Sequence, residues 1–135
     1  MNTRKTLATA ILASQLLATL ALGSTPVSAA SGLTVEAQAR TVVSEFFQTI
    51  NARQFKKTCD LMSARFYKNN HIPDRKHCVL GLTVGFGMSP EVHFRILGVR
   101  RQGDRAIVRT LANGAPGTIV LIKEAENLKV LSVGS

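Results

Sequence analysis

The sequence predicts an α+β domain in which three N-terminal helices pack on a curved four-stranded antiparallel sheet, after a signal peptide. Three observations carry this expectation. Between residues 35 and 86 apolar side chains recur at three- and four-residue steps. From residue 91 onward the period changes to two. Turn-forming Gly, Asn and Asp separate the alternating runs. The chain has 135 residues, 45% hydrophobic and 19% charged, which suits a packed core and excludes a disordered or low-complexity class. Without a 30-residue leader about 105 residues remain, enough for one domain over residues 31–135 and too few for two.

The leader comes first. Arg4 and Lys5 supply a positive start, residues 7–22 carry no charge, and Gly23, Ser24 and Pro26 break the run. Val27, Ser28, Ala29 and Ala30 present the small residues a signal peptidase requires, so cleavage is expected near Ala29 or Ala30 and the protein is expected to be exported, extracellular or periplasmic. An uncleaved anchor is disfavoured because the run is short for a bilayer and diluted by Thr, Ser and Gln. No later segment of the mature chain is long and apolar enough to span a membrane. Cys59 and Cys78 are the only cysteines, and an even pair in an exported chain favours a structural disulfide over two buried thiols. They lack the Cys-x-x-Cys spacing of a redox site.

Thr34 is a plausible cap for the first helix, where Val35, Ala39, Val42, Val43, Phe46, Phe47 and Ile50 form a wide apolar face and Asn51 closes the run. A short second helix starts near Gln54 and carries Phe55, Cys59 and Met62. Residues 69–73 form a turn or loop. Asp74 then caps a third helix bearing Cys78, Val79, Leu82 and Phe86, weakened by Gly81, Gly85 and Gly87 and ended by Ser89 and Pro90. In the first strand Val92, Phe94 and Ile96 point inward, while Glu91, His93 and Arg95 point outward. Turns are expected at 102–104, 113–117 and 124–127, with strands over 106–111, 118–123 and 128–133.

This order of elements resembles the NTF2-like (SnoaL-like, cystatin-like α+β cone) superfamily, as a small exported bacterial member. The resemblance is sharpest over residues 42–55, where an aromatic-bearing helix with Phe46 and Phe47 reaches Asn51, breaks for one turn and restarts at Phe55. The second helix ends in Leu61-Met62-Ser63, as the family's Leu-x-Ser does, and residues 99–108 match its strand, Gly-Asp turn and strand. Arg53 and Gln54 stand where the family frequently has Gly-Asp. Exported members often carry two cysteines on the second and third helices, as Cys59 and Cys78 would. The resemblance implies a pocket at the wide end of the cone, for which Tyr67, His71, Phe46 and Phe94 are the candidates. The superfamily hosts isomerases, dehydratases, cyclases and binding modules, so site residues must decide activity.

No inward strand position offers a carboxylate with a His partner, which weighs against acid–base catalysis. His93 reads as a solvated residue on the outer sheet face, and Tyr67 as a half-buried aromatic. His71, Asp74, His77 and Cys78 lie close in sequence but make a weak ligand set, so no metal is expected and no cofactor is implied. Nucleophile-elbow, zinc-protease, P-loop and dinucleotide motifs are absent from the sequence.

The charge balance is the remaining signal. There are 17 Lys+Arg against 8 Asp+Glu, and the mature chain keeps 15 of the basic residues, a net charge of +7. Arg95, Arg100, Arg101, Arg105 and Arg109 gather on the first hairpin as a candidate anion patch, against which stands a dispersed solvated surface. Nucleic acid is disfavoured as a partner because stacking aromatics are scarce and the chain is exported. The expected function is that of an exported non-catalytic binding or protein-interaction module, taking a small apolar ligand or a protein, with a homodimer through the outer sheet face as one form. An NTF2-like isomerase or hydrolase acting on a small apolar substrate is the alternative, with Tyr67 or His71 at the mouth. A basic module adhering to anionic envelope polymers is the third reading.

Overall fold

The computed structural model describes residues 34–135; the expected signal peptide and its cleavage site lie outside the described residues. Four helices, α1 (Val35–Asn51), α2 (Phe55–Asp60), α3 (Ala64–Asn69) and α4 (Arg75–Phe86), precede four strands, β1 (Phe94–Gln102), β2 (Arg105–Ala112), β3 (Ala115–Glu124) and β4 (Asn127–Gly134). The strands form one antiparallel sheet in sequence order. The α+β class is the one the change of period predicts.

Helix α1 supplies the helical half of the core. Ala39, Val43, Phe46, Phe47 and Ile50 are buried, and the helix lies against β1, β2 and β4. From the sheet come Ala106 and Val108 on β2, Ile119 and Leu121 on β3, and Leu128 and Val130 on β4. Phe47 stacks on Phe94 at a centroid distance of 4.7 Å, and Phe46 meets Phe47 edge-on at 5.3 Å.

The chain leaves α1 through a two-bond cap. Arg53 N–H donates to Ile50 O at 3.0 Å and Gln54 N–H donates to Thr49 O at 2.8 Å, with Arg53 in the left-handed region at φ 60°. A Gly would suit that conformation better. Arg53 compensates with its guanidinium, which donates to the carbonyls of Ile50, Asn51, Gly87 and Ser89 and so ties the end of α1 to the segment entering β1. Asn51 completes the tie, accepting from Val92 N–H at 2.8 Å and donating to Val92 O at 2.9 Å.

The described residues form one more helix than the three the sequence predicts. Between α2 and α3 the chain pairs with the edge of β4: Val130 N–H donates to Leu61 O at 2.7 Å and Ser63 N–H donates to Val130 O at 2.8 Å. That bridge ends α2, and Ser63 restarts the helix by accepting Phe66 N–H at 2.9 Å. The resulting α3 closes at His71, at φ 56°, with a cap like that of α1. Asp74 caps α4, as expected, by accepting His77 N–H at 2.9 Å. Cys59 and Cys78 form a disulfide between α2 and α4.

Two strand boundaries also differ from expectation. Residues 91–93 precede β1, which begins at Phe94. The second turn is only Asn113 and Gly114, both at positive φ as a tight two-residue hairpin requires, so Pro116 and Gly117 belong to β3. Pro116 is tolerated because β4 reaches no further than the position opposite Thr118.

Candidate functional site

One opening lies at one end of the sheet, against Phe47. It is a cleft of about 360 Å³ lined by Phe47, Thr110, Ala112, Ala115, Pro116, Gly117, Ile119, Val133, Gly134 and Ser135. The register explains its shape. Thr110 faces Gly117 across β2 and β3, and Ala112 faces Ala115, so small residues sit where a packed sheet end would carry large ones. A Cβ on Gly117 would lie 3.4 Å from the Thr110 hydroxyl oxygen and 3.0 Å from Gly134 O. Thr110 is only 3% exposed, and its hydroxyl has no hydrogen-bond partner among the described residues. A buried polar group in that state is uncommon and is usually met by water or a ligand. Thr110 was legible in the sequence only as a polar residue in phase with Ala106 and Val108.

A second, more open cleft of about 650 Å³ lies where α1 ends, lined by Gln48, Asn51, Ala52, Arg53, Glu91, Val92, His93 and Phe94. Asn51 and Arg53 are already engaged with main chain there, as described above. His93 therefore lies before the sheet rather than on its outer face. Its backbone is held by Asn113, whose Oδ1 accepts His93 N–H at 2.8 Å and whose N–H donates to His93 O at 2.7 Å.

Of the four pocket candidates from the sequence, only Phe94 lines either of these two clefts. Phe46 is buried, and Phe94 is half-buried in the aromatic stack with Phe47. Tyr67 is half-buried on α3 and donates its hydroxyl to Cys59 O at 3.1 Å. Burial, followed by the nearby Asp60 charge, pushes the Tyr67 phenol above its ordinary value. His71 is exposed at the end of α3. Asp74 and His77 pair with each other at 2.6 Å, and that bond holds the Asp74 carboxyl below its usual range. Among the described residues no three His, Cys, Asp or Glu side chains come together as a metal site, and no described helix is long and apolar enough to cross a membrane.

The five arginines separate by face. On β2, Arg105, Ile107, Arg109 and Leu111 alternate with the buried Ala106, Val108 and Thr110, so they point away from the helices. Arg95 stands opposite Leu111 and Arg100 opposite Ile107. Arg95, Arg100, Arg105 and Arg109 therefore share the outer face. Arg101 stands opposite Ala106 and takes the other face. Residues 95 and 100 would fall on opposite faces of a regular strand, but a bulge between Ile96 and Gly98 inserts Leu97 without a cross-strand partner and restores their phase.

Compared with protein-family models, curated protein sequences and solved structures, the chain shows no significant match.

Proposed function

We propose that this is an exported, non-catalytic binding module of NTF2-like type that holds a small apolar ligand at the sheet-end cleft beside Phe47. The observation that carries the reading is the buried Thr110 hydroxyl without a partner among the described residues, set in a cleft walled by Phe47, Ile119, Pro116 and Val133. An apolar wall with one convergent polar group is the usual makeup of a small-molecule site, and about 360 Å³ lies at the lower end of the usual size range. A ligand with one hydrogen-bonding atom on an apolar body would complete Thr110 and cover the side chains around it. Tyr67 and His71 give the alternative isomerase or hydrolase little support, since the Tyr67 hydroxyl is spent on Cys59 O and neither residue lines the cleft. A homodimer across the outer face would set the arginines of two copies against one another, which favours leaving that face to another partner.

The test is titration of the purified protein with the neutral fluorescent probe N-phenyl-1-naphthylamine. Saturable one-to-one binding is expected, weakened at least tenfold by Ala115→Phe, which places a ring in the cleft from an exposed rim position. Absence of saturable binding, or binding that Ala115→Phe leaves unchanged, would overturn the proposal.

A further inference from the structure

The outer face of the sheet carries a row of arginines, away from the apolar cleft. Arg95, Arg100, Arg105 and Arg109 lie along the β1–β2 hairpin between the Arg95–Leu111 and Gln102–Arg105 pairs. Six residue steps separate those pairs on β2, about 20 Å of strand. Of these four, among the described residues, only Arg105 has a carboxylate within 4.0 Å, that of Asp104. Among the described residues, Arg95, Arg100 and Arg109 have neither an ion pair nor a side-chain hydrogen bond. Three uncompensated guanidinium groups and a weakly paired fourth thus lie along one line.

The middle of the row is shaped as well as charged. A basin of about 480 Å³ is lined by Gly98, Val99, Arg100, Ile107 and Arg109. Gly98 pairs with Arg109 across the strands, and a Cβ on Gly98 would lie 3.3 Å from Arg109 Nη2. The missing side chain therefore lets the Arg109 guanidinium rest across the β1 main chain. Arg100 is the diagonal neighbour on the same face, at about 7 Å between Cβ atoms by strand geometry. The bulge at Leu97 is what brings Arg95 into line with this pair.

The geometry points to a docking track for a linear polymer of phosphate groups, with Arg100 and Arg109 gripping one phosphate over Gly98 and Arg95 and Arg105 meeting its neighbours. A carboxylate presents two oxygens whose lone pairs all lie in one plane, so a second guanidinium fork must approach within that plane. A tetrahedral phosphate can direct oxygens to two forks converging from adjacent strands. One phosphate held by two exposed arginines binds weakly. A chain that meets four cations along about 20 Å gains from linkage, which favours a polymer over the free ion. The apolar side chains of this face lie low: Ile122 is buried, Ile107, Leu111 and Val120 are half-buried, and Leu97 at the bulge is 39% exposed, which offers little for insertion into a bilayer.

The experiment uses protein purified after expression of the full chain through a bacterial periplasm. Its probe is linear polyphosphate, with polyglutamate of equal charge, orthophosphate and phosphatidylglycerol vesicles as comparisons. Four contacts predict a slope of log affinity against log salt of about −3, a loss of about 50-fold between 50 and 200 mM. Arg100→Ala with Arg109→Ala is expected to halve the slope. Gly98→Val, which changes no charge, is expected to weaken binding several-fold by displacing Arg109. Lys56→Gln with Lys57→Gln, on α2, removes the same charge and is expected to change affinity less than twofold. The proposal is overturned by equal losses in the arginine and lysine pairs, by polyglutamate binding as tightly as polyphosphate, by orthophosphate competing at stoichiometric concentration, or by tighter binding to the vesicles. The salt slope and the polymer comparison need no variant, so they decide even if a substitution impairs folding.

Discussion

Helices α1 and α4 are both rich in apolar residues, yet they are buried to very different depths. Five side chains of α1 are buried against the sheet. In α4 only Cys78 is buried, while Leu80 is 58% and Val84 80% exposed. The main neighbour of α4 is α2, to which the disulfide joins it, and Asp74 holds its first turn. Deep burial positions α1, whereas in α4 a covalent tether and a cap reinforce the shallower packing of the half-buried Val79, Leu82 and Phe86 against the core. Apolar composition alone does not say how a helix is anchored.

Four measurements would break or sharpen that contrast. Phe47→Ala is expected to cost about 4 kcal/mol in urea unfolding, because it removes a buried ring and its stack on Phe94. A cost below that of an ordinary surface change would mean that α1 is not the packing centre. Replacing Cys59 and Cys78 together by Ala is expected to cost about 3 kcal/mol on the chain-entropy account. Amide exchange should then show protection vanishing in α4 before α1, and retained protection in α4 would refute the tether.

Tyr67→Phe should cost about 1 kcal/mol through loss of the hydrogen bond to Cys59 O. The native phenol titrates above 10.0, the ordinary tyrosine value, so its contribution is full below that value and is lost as pH climbs through the raised one. Tyr67→Phe should therefore flatten the alkaline fall in melting temperature, and an unchanged fall would place its cause elsewhere. The smallest effect is expected on the open face of α4, where Leu80→Ser should stay within about 0.5 kcal/mol of wild type. A cost of several times that amount would mean that α4 is buried against a partner in solution.

The same contrast explains which parts of the fold were legible. The apolar steps of α1 mark a helix with one face to bury, and the alternation through Phe94 and Ile96 marks a strand, because each period reflects local backbone geometry. The Asp74 cap and the Cys59–Cys78 pair were likewise visible from residue type. Helix α3 was not, because the break before it depends on Leu61 and Ser63 bonding to Val130, nearly seventy residues away. Thr110 became a candidate site residue only when the register placed it opposite Gly117, leaving space beside the hydroxyl.

What the sequence determined by itself was the α+β class, the order of helices and strands, the clustering of arginines on the first hairpin and the excess of positive charge. Those properties follow from residue type and short-range period. The tertiary structure alone decided that four of the five arginines share a face, that Arg109 lies across Gly98, and that Tyr67 serves Cys59 rather than a pocket. Side-chain phase depends on cross-strand pairing, and one inserted residue reverses it. The Leu97 bulge was therefore invisible until β1 had β2 to pair with.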